Sequence, residues 1–323
     1  MIKKIVTFII IIVLLVSFSQ TLVLGSYLFN KQNYIGEIAK DVIISAFPHL
    51  YTYGLDSKIF FKGKYESSNK VDIVIGNHIN IIDFIIYLLL IKHFDDRNIY
   101  LVFKKSIVFF PGAGFILHGT SDFKLKRKME DDEQYIINTL KDIKDGIILI
   151  FPEGTRYTDE KFKLAKQYSK DNNLPSFNNI LFPKMKGLWT IYNVLNNNNR
   201  LGNIIDISCI IENFKNKETH FKDIITKPFG NTYCIINSYN VPNNITNYDN
   251  FKSWFLDIWI KKDKTLNITK YDNFTELIPE MKSYNYLILI VMVTLFIYLT
   301  IHTNGLYIPF SLLLTYGITS FIG

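Results

Sequence analysis

Residues 71 to 83 of the chain read Val71-Asp72-Ile73-Val74-Ile75-Gly76-Asn77-His78-Ile79-Asn80-Ile81-Ile82-Asp83. The first part has the pattern of a short apolar strand and the last part opens an apolar helix, so His78 lies in the connection between them. If the helix begins near Asn80, Asp83 lies one turn in, where its carboxylate can accept a hydrogen bond from one ring nitrogen of His78. The other ring nitrogen then stays free to act as a base.

This pair is two thirds of a hydrolase triad, and no serine stands beside it. A dyad of this kind suits an enzyme whose nucleophile is the hydroxyl of a bound substrate, because the protein then supplies only the base and its orienting carboxylate. A polar strand end that caps the next helix would use the same residue types. The other motifs in the chain favour the catalytic interpretation.

Apolar runs and helical periods alternate along the chain. Strands are predicted over 71–75, 100–103, 147–151 and 204–210, helices over 81–91, 126–143 and 251–260, and loops over 196–200 and 240–250. This alternation predicts an α/β fold, a mixed sheet flanked by helices and containing parallel strands. Ligands of such sheets bind beyond the strand ends, where His78 and Glu153 fall.

Four motif blocks follow one another in the chain. They are Asn77-His78 with Asp83, then Lys104 to Glu130 with Pro111-Gly112-Ala113-Gly114-Phe115 and Arg127, then Phe151-Pro152-Glu153-Gly154-Thr155-Arg156, then Phe182-Pro183-Lys184 with Lys186-Gly187. In this order, over roughly residues 71–266, they resemble the glycerolipid acyltransferases typified by 1-acylglycerol-3-phosphate acyltransferase. Trp254, Trp259 and Lys262-Asp263 resemble the branch that includes lysocardiolipin acyltransferase.

The resemblance implies a membrane-bound enzyme that moves a fatty acyl group from acyl-CoA to the hydroxyl of a lysophospholipid. Lysophosphatidic acid is the default acceptor, which would give phosphatidic acid; lysocardiolipin, lysophosphatidylinositol and glycerol 3-phosphate are alternatives. His78 and Asp83 would be the catalytic residues. Acyl-CoA is a co-substrate, so no cofactor is expected, and no residues have the spacing of a zinc site.

A phosphate-bearing acceptor needs a cationic clamp, and the planar fork of arginine binds phosphate oxygens bidentately. By resemblance, Arg127 and Arg156 are the candidates for this clamp. Glu153 is expected to orient Arg156 or an acceptor hydroxyl, and Lys184 to line the acyl-CoA path. The resemblance completes the substrate-binding set with Asn77 and Gly154.

Competing functions lack their motifs. No Gly-x-Ser-x-Gly elbow of a hydrolase occurs, and Gly112-Ala113-Gly114 lacks the third glycine of a dinucleotide fingerprint. A non-catalytic lipid-binding membrane scaffold stays open, although it would not need the whole set of motif residues. The two cysteines, Cys209 and Cys234, give no disulfide framework, and Cys209 has the pattern of a core residue.

Composition predicts a membrane protein, with a mean hydropathy of +0.13 and no Asp, Glu, Lys or Arg over residues 5–30 or after Lys282. Residues 1–30 are predicted to be an N-terminal membrane anchor, with a cleaved signal peptide as the alternative. Residues 31–283 are predicted to be the acyltransferase domain, and 284–323 a C-terminal membrane hairpin or two spans. The net charge of +7 suits membrane lipids and anionic substrates, while no basic stripe interleaved with aromatics indicates nucleic acid.

The expected location is the endoplasmic reticulum or another internal membrane. Because acyl-CoA is too polar to cross a bilayer unaided, the active site is predicted to face the cytosol. Lys3 and Lys4 argue mildly the other way by the positive-inside rule, which loses force beside a long loop. The glycosylation sequons at Asn244, Asn267 and Asn273 are therefore expected to stay unmodified.

Overall fold

The computed structural model describes residues 37, 40–41, 50–80, 82–109, 117, 120–215, 218–242, 245–278, 294, 298 and 301–302. The chain divides into two compact units. The first consists of Met1–Leu55, Phe103–Lys126 and Pro279–Gly323, and the second of Asp56–Val102 and Arg127–Ile278. All predicted site residues belong to the second unit. The predicted boundaries at 30/31 and 283/284 lie outside the described residues.

The described strands are β1 (Ile59–Gly63), β2 (Val71–Gly76), β3 (Ile99–Lys104), β4 (Phe123–Leu125), β5 (Gly146–Ile150), β6 (Leu201–Ile211), β7 (Thr232–Tyr239) and β8 (Thr275–Glu276). The described α-helices are α1 (Asp83–Phe94), α2 (Met129–Asp142), α3 (Asp159–Asp171), α4 (Met185–Asn197), α5 (Phe221–Thr226) and α6 (Tyr248–Thr265). In the first unit, β4 is accompanied by a π-helical turn at Leu50–Gly54 and a 3-10 turn at Lys105–Phe109.

The strands of the second unit form one sheet in the order β3-β5-β2-β6-β7-β1-β8. Pairing is parallel from β3 to β6 and between β7 and β1, and antiparallel for β6 with β7 and β1 with β8. The predicted α/β fold with a mixed sheet flanked by helices is therefore confirmed.

The core is centred on β2, where all six residues are buried. All five residues of its neighbour β5 are buried as well. Parallel strands covered on both faces read as continuous apolar runs, which is why these two strands could be predicted from sequence. Helix α1 is buried over most of its length, in keeping with its apolar sequence Asp-Phe-Ile-Ile-Tyr-Leu-Leu-Leu-Ile.

Several elements differ from the sequence-based predictions. Strands β1 and β7 and helices α3 and α4 were not predicted, and α6 begins at Tyr248, inside the predicted loop over 240–250. Helix α1 begins at Asp83 rather than at residue 81, because the preceding backbone folds onto the Asp83 carboxylate.

Within the described ranges, none of the helices combines the length and the apolar character needed to cross a membrane. The segments predicted to do so, residues 1–30 and 284–323, fall almost entirely outside those ranges.

Candidate active site

Two neighbouring parallel strands deliver the central motifs to one edge of the sheet. Ile75 of β2 pairs with Ile150 of β5, so the segments after both strands leave the sheet side by side. The segment after β2 carries His78, and the segment after β5 carries Glu153 and Arg156. The carboxyl edge of a parallel sheet is where ligands of α/β folds bind.

His78 and Asp83 lie within hydrogen-bonding distance. The imidazole Nδ1 of His78 is 3.0 Å from Oδ2 and 3.1 Å from Oδ1 of Asp83. The backbone N–H groups of Ile79 and Asn80 donate to the same Oδ2 atom, the second over 3.0 Å. The Asp83 side chain is fully buried, whereas that of His78 is 22% exposed. The imidazole is therefore bonded to a buried carboxylate through Nδ1 and is partly exposed to solvent.

The surroundings of His78 adjust its basicity. Burial lowers the pKa of the imidazole, but the Asp83 carboxylate and its hydrogen bond outweigh burial and raise the pKa above 6.5. A Nδ1–H directed at Asp83 leaves Nε2 as the acceptor of the neutral ring. Phe151 stacks on the imidazole with ring centroids 4.6 Å apart, which restricts the ring further.

Glu153 holds the backbone of this site. Its Oε1 accepts the N–H of His78 over 2.8 Å, and its Oε2 accepts the N–H of Leu181 over 3.1 Å. Burial raises the pKa of this carboxyl, which is only 2% exposed, to about 7. We find no hydrogen bond from Glu153 to Arg156 among the described residues, so the carboxylate orients two peptide groups instead of the guanidinium.

The segment after β5 also bonds to the carbonyl of the His78 peptide, through the residue that follows the third block. The N–H of Tyr157 donates to the His78 carbonyl over 2.9 Å. The N–H and the carbonyl of His78 are thus both fixed by the segment that follows β5. This role of Tyr157 was not predicted from the sequence.

Asn77 ties the end of β2 to β6. Its Nδ2 donates to the carbonyl of Cys209 over 2.9 Å, and its Oδ1 accepts the N–H of Cys209 over 2.8 Å. The Tyr87 hydroxyl donates to the Asn77 carbonyl over 2.8 Å. Asn77 is only 3% exposed, and its amide bonds to the backbone of β6, while the residue also lines the pocket beside His78. A Cβ at Gly76 would lie 2.6 Å from the Tyr87 ring, so only glycine fits there.

The predicted cationic residues gather around the segment after β5. Gly154 has a φ of +67°, the left-handed region that favours glycine, and its N–H donates to the Phe151 carbonyl over 2.9 Å. The N–H of Lys184 donates to the Pro152 carbonyl over 2.7 Å. A Cβ at position 154 would lie 3.1 Å from Cδ of Lys184, so the lysine stem lies along this turn.

Arg127 and Arg156 are both exposed. Neither guanidinium forms a hydrogen bond or ion pair within the part of the chain that the structure describes. Arg127 has a φ of +66°, which is uncommon for a side chain of this size.

Lys161 lies near these arginines, and no role was predicted for it from the sequence. Its Nζ donates to Oγ1 of Thr155 over 2.5 Å. Burial, followed by the positive charges of Arg156 and Arg127, lowers the pKa of Lys161. Both arginines therefore lie close enough to repel the Lys161 ammonium, which Glu160 and Glu218 partly offset, and an anion placed beside Lys161 would relieve that repulsion.

A small pocket opens beside the imidazole. His78 and Glu153 form part of its polar side, and Ile210, Phe214 and Leu266 form part of its apolar side. The pocket thus combines the His78 imidazole with an apolar recess, and its lining residues do not include the predicted cations Arg127, Arg156 and Lys184.

Comparison with known proteins agrees with this arrangement. Residues 58–184 match the family model described as Acyltransferase. The resemblance to the glycerolipid acyltransferases drawn from the motif blocks is confirmed.

Two curated relatives extend the match beyond this domain. The chain is 25% identical over 240 residues to the probable 1-acyl-sn-glycerol-3-phosphate acyltransferase 5 of Arabidopsis thaliana, covering 69% of the chain and 60% of the relative. It is 26% identical over 172 residues to lysocardiolipin acyltransferase 1 of Gallus gallus, covering 50% of the chain and 44% of the relative. The chain therefore spans less than two thirds of the length of either relative.

A solved structure shares the fold. The crystal structure of the 1-acyl-sn-glycerophosphate acyltransferase PlsC from Thermotoga maritima superposes with a TM-score of 0.53 at 14% identity. The superposition covers 83% of this chain and 97% of that chain.

Proposed function

We propose that the protein transfers a fatty acyl group from acyl-CoA to the hydroxyl of a lysophospholipid, with lysophosphatidic acid as the default acceptor. The observation that carries this proposal is the buried Asp83 carboxylate on Nδ1 of His78, a partly exposed residue that lines the pocket, which leaves Nε2 as the acceptor of the neutral ring. Cys209 also lines the pocket, but burial raises the pKa of its thiol well above normal. A thiol in that state is a poor nucleophile, which favours the acceptor hydroxyl over Cys209 as the attacking group.

The reaction needs one proton acceptor and no protein-bound intermediate. Nε2 of His78 takes the proton from the acceptor hydroxyl as the oxygen forms a bond to the thioester carbonyl carbon. The tetrahedral intermediate then breaks its carbon–sulfur bond, and the leaving coenzyme A thiolate takes the proton from the imidazolium. Asp83 stays ionised throughout, keeps the tautomer and stabilises the imidazolium.

The exposed cations would bind the phosphate of the acceptor. Arg156 and Arg127 lack carboxylate partners within the described residues and share an environment with Lys161. A phosphate would form bidentate contacts with an arginine fork and neutralise the cluster. The names of the two relatives, one for 1-acylglycerol-3-phosphate and one for lysocardiolipin, refer to acceptors that both carry phosphate.

The test is acyl transfer by the purified full-length protein from labelled acyl-CoA to a panel of acceptors. The panel holds lysophosphatidic acid, lysocardiolipin, lysophosphatidylinositol, glycerol 3-phosphate and, as the matched control, monoacylglycerol without phosphate. We expect labelled ester with phosphate-bearing lysolipids and little with monoacylglycerol. Transfer to none of them would contradict the proposal and favour a non-catalytic lipid-binding scaffold.

We also propose that residues 1–30 and 284–323 attach the protein to the endoplasmic reticulum or another internal membrane with the site facing the cytosol. The support is the apolar sequence of residues 5–30 and 284–323, which contain no Asp, Glu, Lys or Arg, and the polarity of acyl-CoA. Sequons at Asn244, Asn267 and Asn273 should then carry no glycan. A glycosidase-sensitive mass shift that disappears when these residues become glutamine would place the domain in the lumen.

A further inference from the structure

The segment that leads into the fourth motif block is held by helix α6. Oδ1 of Asp263 accepts the N–H of Asn178 over 3.0 Å and the N–H of Asn179 over 2.7 Å. The indole Nε1 of Trp259 donates to the Leu181 carbonyl over 3.0 Å. Trp259 is 0% exposed, so its indole N–H has no water to bond if this contact is lost. Helix α6 therefore fixes residues 178–181 at both ends.

The same segment is bonded to the catalytic strand end. The N–H of Leu181 donates to Oε2 of Glu153, and Oε1 of Glu153 accepts the N–H of His78. The carbonyl of Leu181 thus accepts a hydrogen bond from Trp259, and its N–H donates one to Glu153. A continuous series of hydrogen bonds runs from α6 through Leu181 and Glu153 to the peptide of His78.

Lys262 adds a charge to this arrangement from the same helix. Its Nζ, fully buried, donates over 2.6 Å to both Oδ1 of Asp206 and the carbonyl of Ile207 on β6. Its positive charge lowers the pKa of Glu153, against the dominant effect of burial. Helix α6 therefore contacts β6 as well as the segment that Glu153 holds.

We propose that Trp259 and Asp263 are positioning residues for His78, acting through Leu181 and Glu153. The proposal rests on the proposed function for its catalytic consequence. Both residues lie on α6, outside the residues that match the acyltransferase family model, so the functional unit extends past that match. The geometry of the base relative to the thioester would then depend on a helix that touches no substrate.

Core packing alone is the competing explanation. The Trp259 ring stacks on Phe255 with centroids 5.6 Å apart, and loss of that ring would destabilise any core. Trp259→Phe separates the two, because it keeps an aromatic ring in the core and removes the N–H that holds Leu181. Asp263→Asn is the second variant, since asparagine keeps one acceptor oxygen for the segment and should fold.

The experiment measures kcat, both KM values and amide hydrogen exchange for the wild type and the two variants, in the full-length protein. We expect Trp259→Phe to lower kcat by roughly ten- to hundredfold, since small misplacements of a catalytic group cost that much. Both KM values should stay within about twofold, because the variant leaves the binding groups in place. The amides of His78 and Leu181 should exchange faster, and Asp263→Asn should have smaller effects in the same direction.

Matched controls come from the same helix. Trp254→Phe is the control for Trp259→Phe, at a half-buried ring that packs on Phe251 and Tyr192. Asp257→Asn is the control for Asp263→Asn, at an exposed aspartate. Both should keep wild-type kcat and amide exchange.

The outcomes separate the proposals. Unchanged kcat per folded molecule and unchanged exchange at His78 in Trp259→Phe would overturn the positioning role, even if the melting temperature fell. If the wild type transferred no acyl group, the proposed function would fail on its own. The exchange at His78 and Leu181 would then still decide whether α6 positions this peptide.

Discussion

The two sides of the site are built in opposite ways. On one side, His78 has its N–H, its carbonyl and its ring nitrogen Nδ1 all bonded to protein groups. On the other, the guanidinium groups of Arg127 and Arg156 are exposed and have no partner in the described residues. In the proposed reaction, His78 would therefore be in position before the substrate binds, whereas the two arginines would gain their partner from the substrate.

This difference follows from what each side does in the proposed reaction. A catalytic base gains most from fixed geometry, because the orientation cost is then met during folding. A charged recognition group must stay free of internal carboxylates, since an internal ion pair would have to break before the ligand binds. Fixed and open groups should therefore fail differently when substituted.

The largest effect is expected on the fixed side. His78→Ala should lower acyl transfer by at least ~10²–10⁴-fold, the usual contribution of a general base, while KM for the acceptor changes little. The measurement is steady-state kinetics on purified protein whose fold is checked by its melting temperature. His93→Ala, an exposed histidine on α1, is the control and should keep full activity. Near-normal turnover of His78→Ala would contradict the base assignment.

A smaller effect, on affinity, is expected on the open side. Arg156→Ala should raise the apparent KM for lysophosphatidic acid by roughly ten- to hundredfold, because a charge-assisted bidentate contact contributes about 1.5–3 kcal/mol. The KM for acyl-CoA should change much less. Lys163→Ala removes an exposed cation from α3 and serves as the control. A change confined to the acyl-CoA KM would reverse the assignment of this side.

Arg127 allows function and strain to be separated at one residue. Its φ of +66° disfavours alanine but not glycine, so Arg127→Gly should be more stable to unfolding than Arg127→Ala by about 1 kcal/mol. Both variants should lose acceptor affinity to the same extent, since both lose the guanidinium. Denaturant unfolding and acceptor KM values measure the two quantities. Full acceptor affinity in Arg127→Gly would remove Arg127 from the clamp.

The smallest change is expected in the pH dependence of kcat/KM, which depends on the pKa of His78. His78 must be neutral to accept a proton, and Asp83 outweighs burial to raise its pKa above 6.5, so kcat/KM should fall as pH drops through that raised value. Glu153 also raises the pKa of His78, and Arg156 lowers it. In Asp83→Asn the strongest raising group is gone, so the acid limb of the residual activity should move to lower pH. A limb that stays in place would mean that another group controls it.

The features that could be predicted from sequence are those whose cause is local. The buried strands β2 and β5 are apolar runs, and the spacing of His78 and Asp83 places the two side chains within one turn. Strands β1 and β7 escaped prediction because they are only partly buried, and α3 because its sequence is mostly polar. Their structure depends on neighbours that are distant in sequence.

The roles of individual polar residues were harder to predict for the same reason. Glu153 binds peptide groups 75 and 28 positions away, and Asn77 binds one 132 positions away. A sequence motif identifies such residues but not their partners, so the backbone contacts of Asn77 and Glu153 could not be predicted, and their contact with substrate stays a prediction. The resemblance around Trp259 and Asp263 was the available signal for helix α6.

In the proposed reaction the acceptor hydroxyl, and no protein side chain, attacks the thioester. The most direct test of this step is a single-turnover experiment with excess purified protein and labelled acyl-CoA, with and without lysophosphatidic acid. We predict no release of coenzyme A and no protein-bound label without acceptor, and with acceptor one labelled phosphatidic acid for each coenzyme A released. Label covalently attached to the protein, or a stoichiometric burst of coenzyme A without acceptor, would contradict the account.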